Sequence, residues 1–212
     1  MSSPRLLIEG FQRFRERYFV EGGEQFQDLV QFGQTPKALV VACCDSRVDP
    51  ALVLDCAPGD LFVIRNVANL VPPSENQGHY HGTSAALEFG VRNLEVQHII
   101  VLGHAQCGGI RALLEGVVPK DESFIAGWMG IAEAARKHVE EEHANASDKI
   151  RLRACEQQAI LVSLDNLMTF SWVRERVKQG KLALHGWYFD IERGELLGYD
   201  MITQKFEILQ PK

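Results

Sequence analysis

A chain of 212 residues, 46% of them apolar and 24% charged, fits one sizeable globular unit with a real core. Its formal charge of -6 and pI near 5.7 give no basic footprint for nucleic acid. No apolar run approaches the roughly 18 residues that a membrane helix needs, so a small-molecule role without nucleic acid or membrane is expected.

The first residues, MSSPRLLIEGFQRFRERYF, mix acids with bases and lack an apolar segment leading to a small-residue cleavage site, so a cytoplasmic protein is expected. Residues 5 to 33 carry Leu6, Phe11, Phe14, Phe19, Phe26 and Leu29 at mostly helical offsets and predict one or two amphipathic helices. This arm, residues 1–35, is suited to pack on a partner subunit. Residues 36–212 form the core, and the absence of repeats or a Pro/Gly/Ser linker makes the whole chain a single domain.

Three short apolar runs follow: KALVVACCD (37–45), DLFVIRN (60–66) and QHIIVLGH (97–104). They are too uniformly hydrophobic for a half-exposed sheet and predict buried parallel strands. Between the last two, HGTSAALEFGVRNLEV places Ala85, Leu87, Phe89, Val91 and Leu94 as a crossover helix, as a right-handed βαβ unit requires. GGIRALLEG opens a short helix, and residues 123–143 and 150–179 carry longer helical patterns separated by the turn-prone ANASD. KLALHGWYFDIERGELLGYD predicts two strands joined around Arg193 and Gly194. The class is therefore α/β: a mostly parallel central sheet with an antiparallel C-terminal edge strand, flanked by helices and preceded by a helical arm.

Ligands of open α/β sheets bind outside the carboxyl ends of the strands, which directs attention to CCDSR (43–47) and HAQC (104–107). Five cysteines, an odd number with two adjacent, make a poor disulfide framework and suit core, metal-binding or catalytic roles. Two thiolates and one imidazole suit zinc, and three protein ligands leave its fourth position open for chemistry. Strand alternation puts Cys43 on one face with Asp45 and Arg47, making it the ligand beside His104 and Cys107; Cys44, Cys56 and Cys155 are expected to be packing residues. Two other readings stay open: a cysteine nucleophile with His104 as base, and a zinc-holding scaffold without catalysis.

The combination ACCDSRV, DLFVIRNVANLVPP, GHAQCGG and LHGWYFDIERGEL resembles the β-class carbonic anhydrases, in order from about residue 34 to residue 200. The resemblance implies one zinc per chain on Cys43, His104 and Cys107, and reversible hydration of carbon dioxide to bicarbonate and a proton. It also implies a zinc hydroxide oriented by an Asp45 and Arg47 dyad. It places carbon dioxide in a slot of Phe62 and Val67 with Gln34 as donor, Gln34 reaching across the interface of a homodimer or larger homo-oligomer. Gln34 and Val40, where a bicarbonate-inhibited subgroup has tryptophan, resemble the plant-type subgroup; Phe89 departs from it, since the family usually has tyrosine there. Arg65, ending a buried strand, is expected to meet an anion or carboxylate, and His79 and His81 are the proton-carrier candidates.

Overall fold

Six strands form one sheet, in the spatial order Leu61–Asn66, Ala38–Cys43, His98–His104, Ala183–Asp190, Glu195–Asp200, Lys205–Ile208. The computed structural model describes residues 3–75, 80–117 and 123–210. Strands β1 (Ala38–Cys43), β2 (Leu61–Asn66), β3 (His98–His104) and β4 (Ala183–Asp190) run parallel, β1 lying between β2 and β3. β5 (Glu195–Asp200) and β6 (Lys205–Ile208) complete the sheet antiparallel. The predicted hairpin around Arg193 and Gly194 is present, and Gly194 takes a φ of +67° that a Cβ would resist. The edge itself is β6, a four-residue strand too short to stand out in the sequence.

Alternation along the central strands builds two layers. Leu39, Val41, Ile99 and Val101 pack with Leu87 of α4 (Gly82–Glu88), Val91 just beyond it, and Ile160 and Leu167 of α8 (Asp148–Leu167). Val40, Ala42, Ile100 and Leu102 face the other way, against Trp187, Phe189 and Leu196. All but the partly buried Trp187, Phe189 and Leu196 are buried, and each fully buried large aliphatic side chain contributes about 1.5–3 kcal/mol.

Short helices bracket the site: α3 (Pro50–Val53) after β1 and α5 (Gly108–Glu115) after β3. The pattern over 123–143 resolves into α6 (Phe124–Met129), a 3-10 turn, and α7 (Glu133–Glu142). The pattern over 150–179 breaks after α8 and resumes as α9 (Ser171–Lys178). The N-terminal arm is α1 (Pro4–Arg15), a π turn, and α2 (Glu24–Phe32). Phe14 and Phe19 pack on Phe26, with ring centroids 5.5 and 4.9 Å away, and fold the arm on itself. α1 buries no residue in the single chain, and Leu7 is 67% exposed.

Candidate metal centre

Cys43 ends β1 and His104 ends the neighbouring parallel strand β3, so both leave the sheet at its carboxyl edge. Cys107 stands just before α5, after a tight turn in which Gln106 adopts the left-handed φ of +61°. Gly109 permits the close approach of this turn to the chain after β2: a Cβ there would lie 2.9 Å from Val67 Cγ1. The ligand atoms of Cys43, His104 and Cys107 all lie within 4.8 Å of one another, and all three residues are buried.

The donor chemistry fits a borderline-soft ion. The Ala105 carbonyl, 2.8 Å from His104 Nδ1, can only accept, so Nδ1 carries the proton. That leaves the Nε2 lone pair bare, and Nε2 is buried with no hydrogen-bond partner among the described residues. A hydrogen bond from the Cys107 thiol, opposed by burial, draws the Cys43 thiol below its ordinary range. The same bond and burial push Cys107 up. The Asp45 N–H also points at Cys43 Sγ, 3.4 Å away. An orphaned imidazole nitrogen between two thiols, one already favouring its thiolate, is the donor set of a three-ligand zinc site.

Beside it, Asp45 and Arg47 form a two-pronged ion pair, Nε to Oδ1 at 2.9 Å and Nη2 to Oδ2 at 2.7 Å. The Arg47 N–H adds a third bond to Oδ1 at 3.0 Å, and Nη2 also reaches the Gln106 carbonyl at 3.2 Å. These hydrogen bonds, opposed only by modest desolvation, hold the Asp45 carboxyl well below the usual carboxylate range. Arg65 braces the turn from beneath. It donates to the carbonyls of Cys43 (3.0 Å) and Asp45 (2.7 Å) and to the Asp49 carboxylate (2.7 Å), the carboxylate expected of it.

Cys44 corrects the expectation of a buried packing residue: it is exposed. β1 stops at Cys43 instead of running to residue 45, so strict alternation ends there and Cys44 turns outward, its N–H held by Asn66 O at 2.8 Å. Cys155 is buried as expected, and Cys56 partly so. Cys44→Ser is therefore expected to leave zinc content and activity unchanged, checked by metal analysis and initial rates.

The substrate residues divide. Val67 follows Asn66, the register partner of Cys43, and lines a largely apolar groove of about 930 Å³ with Pro72, Phe124, Trp128 and Ile131. The Trp128 Nε1–H fixes its wall on the Val67 carbonyl at 2.8 Å. Phe62 pairs with Leu39, four residues before the Cys43–Asn66 pair, about 13 Å back along the strand, and stacks on Phe89 at 5.9 Å. Gln34 is exposed ahead of β1. One chain thus brings Cys43, Asp45, Arg47, His104, Cys107 and Val67 together, but not Phe62 or Gln34. His81 lines the Val67 groove; His79 lies outside the described residues.

Sequence reasoning missed Glu156, whose Oε1 accepts the Cys107 N–H at 2.9 Å and whose Oε2 accepts the Tyr188 hydroxyl at 2.8 Å. The signal was a charged residue inside the core-facing stripe of α8.

A mostly parallel α/β sheet with a buried Cys-His-Cys cluster at its carboxyl edge is the arrangement of a metalloenzyme. The carbonic anhydrase family model matches residues 38–196, and the chain belongs to this family, in its β class. A carbonic anhydrase of Synechocystis sp. is 38% identical over 201 residues, 94% of this chain and 72% of the relative. The chloroplastic beta carbonic anhydrase 5 of Arabidopsis thaliana is 40% identical over 181 residues, 85% of this chain and 59% of its own length. Among solved structures, the β-carbonic anhydrase CcaA superposes with a TM-score of 0.91 at 37% identity, covering 98% of this chain and 92% of that one. CafA of Aspergillus fumigatus gives 0.82 at 26% identity, over 92% of this chain and 90% of that one. Such enzymes are lyases.

Proposed function

We propose that this chain hydrates carbon dioxide reversibly at one zinc held by Cys43, His104 and Cys107, with Asp45 and Arg47 completing the machinery. The observation that carries the reading is the buried Cys43–His104–Cys107 cluster with its unpartnered Nε2. Zinc, when bound, supplies the Lewis acidity that brings the pKa of a water from about 15.7 toward about 7.

Asp45, kept ionised by Arg47, can only accept a hydrogen bond. It takes the proton of the attacking oxygen into a fixed direction and leaves that oxygen's lone pair facing the substrate. Arg47 keeps Asp45 from swinging onto the metal by holding both carboxylate oxygens. Val67 and the apolar groove wall offer carbon dioxide a dry approach without competing hydrogen bonds. His81, which lines the same groove, and His79 are the proton-carrier candidates.

The slot is completed by a second copy. Phe62 and Gln34 lie outside the site of their own chain, while the arm exposes Leu7, Ile8 and Phe11 and α1 buries nothing. A homodimer, or a larger assembly built from it, covers that apolar face and delivers these residues to a neighbour's metal. The single domain then comprises the arm, residues 1–35, and the core, residues 36–212. Gln34 and Val40 support the plant-type subgroup.

The two thiolates oppose the acidification of water, so the rate is expected to rise between about pH 6 and about pH 9, with zinc near one per chain. A flat profile, or a metal-free active protein alkylated at one cysteine, would favour the thiol-nucleophile reading instead.

A further inference from the structure

The core-facing stripe of α8 runs Leu152, Cys155, Glu156, Ala159, Ile160, Ser163 and Leu167. A carboxylate in such a stripe is costly to bury unless hydrogen-bonded, and Glu156 is 3% exposed. Both of its oxygens are engaged: Oε1 by the Cys107 N–H at 2.9 Å, Oε2 by the hydroxyl of the fully buried Tyr188 at 2.8 Å. Of these partners, only Cys107 belongs to the metal centre.

The Cys107 N–H is the first peptide donor after the turn at Gln106, a non-glycine residue with φ of +61°. That conformation costs about 1–2 kcal/mol and persists only where the surroundings impose it. The restraints are visible. The Gln106 carbonyl accepts from Arg47, and its side-chain amide donates to Glu192. The Cys107 carbonyl accepts the Arg111 N–H at 3.0 Å at the start of α5. The Cys107 N–H precedes α5 and has no helical acceptor, so Glu156 supplies the one bond that fixes this peptide from behind. With both faces of the residue held, little but χ1 remains to aim Sγ.

We infer that Glu156 is a positioning residue for the metal: its carboxylate, by accepting the Cys107 N–H, holds the strained 105–107 turn so that the Cys107 thiolate stays on the ion. This inference rests on the proposed reading of Cys43, His104 and Cys107 as zinc ligands. A purely structural Glu156 would act through core packing and Tyr188, and its loss would lower stability without selectively changing how metal is held.

The test uses the full-length protein with four variants, measuring zinc affinity by chelator competition and the thiolate-to-metal absorption of the cobalt-substituted form. Glu156→Gln retains an oxygen for the Cys107 N–H and a donor for Tyr188, and is expected to bind zinc like the unaltered protein. Glu156→Met fills the space without an acceptor, and Glu156→Asp keeps the charge but falls one methylene short. Both are expected to weaken zinc binding about 10- to 100-fold and to shift the cobalt band. Tyr188→Phe removes the structural partner alone and is expected to leave zinc affinity near its original value. Should Glu156→Met not fold, the order of Gln above Asp decides. Unchanged affinity in folded Glu156→Met, or Asp binding as well as or better than Gln, overturns the inference. An unaltered protein that takes up no zinc overturns instead the reading on which it rests.

Discussion

Cys43→Ser is expected to lose its zinc and to lower carbon dioxide hydration by more than about 100-fold, beyond what removal of a partner behind a metal ligand costs. Cys43 is 5% exposed at the end of β1, with the donor atoms of His104 and Cys107 within 4.8 Å. A serine hydroxyl there stays protonated near neutral pH and is a harder, weaker ligand for this ion. The exchange alters little volume, so the fold is expected to survive, which circular dichroism and thermal melting check. Zinc near one per chain with undiminished rate in Cys43→Ser, alongside loss of both in Cys44→Ser, would assign the ligand to the wrong cysteine.

Asp45→Asn is expected to keep its zinc and still lose about 100- to 10,000-fold in hydration rate, the span of a positioned proton acceptor. The amide is nearly isosteric, but it brings an N–H₂ where the mechanism needs only acceptors, and it forfeits the charge that binds Arg47 at 2.7 Å. The pH dependence has a definite sign. Because Arg47 depresses the folded-state pKa of Asp45 below the usual carboxylate range, the stability this pair contributes is fully present above the unfolded value of about 3.9. It is lost progressively as pH falls below that value and through the lowered one. Activity lost between about pH 7 and about pH 6 is therefore not protonation of Asp45, and Asp45→Asn should shift the remaining profile little. Retained hydration in zinc-replete Asp45→Asn would remove Asp45 from the chemistry.

Much of this architecture is legible in local pattern. The runs ALVVAC and HIIVLGH are too apolar for anything but buried strands, and both stop where charge and sulfur begin, which locates the carboxyl edge. The breaks within 123–143 and 150–179 are set by packing on the sheet and carry weaker signals. β6, with only Phe206 half-buried among four residues, reads as a tail until β5 is there to receive it.

Within the site, the Cys43, His104 and Cys107 cluster was legible because its members lie at the ends of two neighbouring strands, whereas the part given to Asp45 and Arg47 came from the family resemblance and not from spacing alone. Cys44 escaped because alternation holds only while the strand lasts, and β1 ends one residue earlier. The left-handed turns at Ala68 and Gln106 carry no glycine to announce them. Glu156, on α8 and 49 residues from Cys107 in sequence, becomes a partner only when that helix packs behind β3 and β4. Arg65 was legible in type but not in target: two carbonyls of the 43–45 turn join the carboxylate it was expected to meet.

Stopped-flow initial rates on the unaltered, zinc-replete protein measure carbon dioxide hydration directly. A zinc-dependent rate far above the buffer background, rising toward alkaline pH, is expected. A rate no faster than buffer, with zinc at one per chain, would contradict the proposed function.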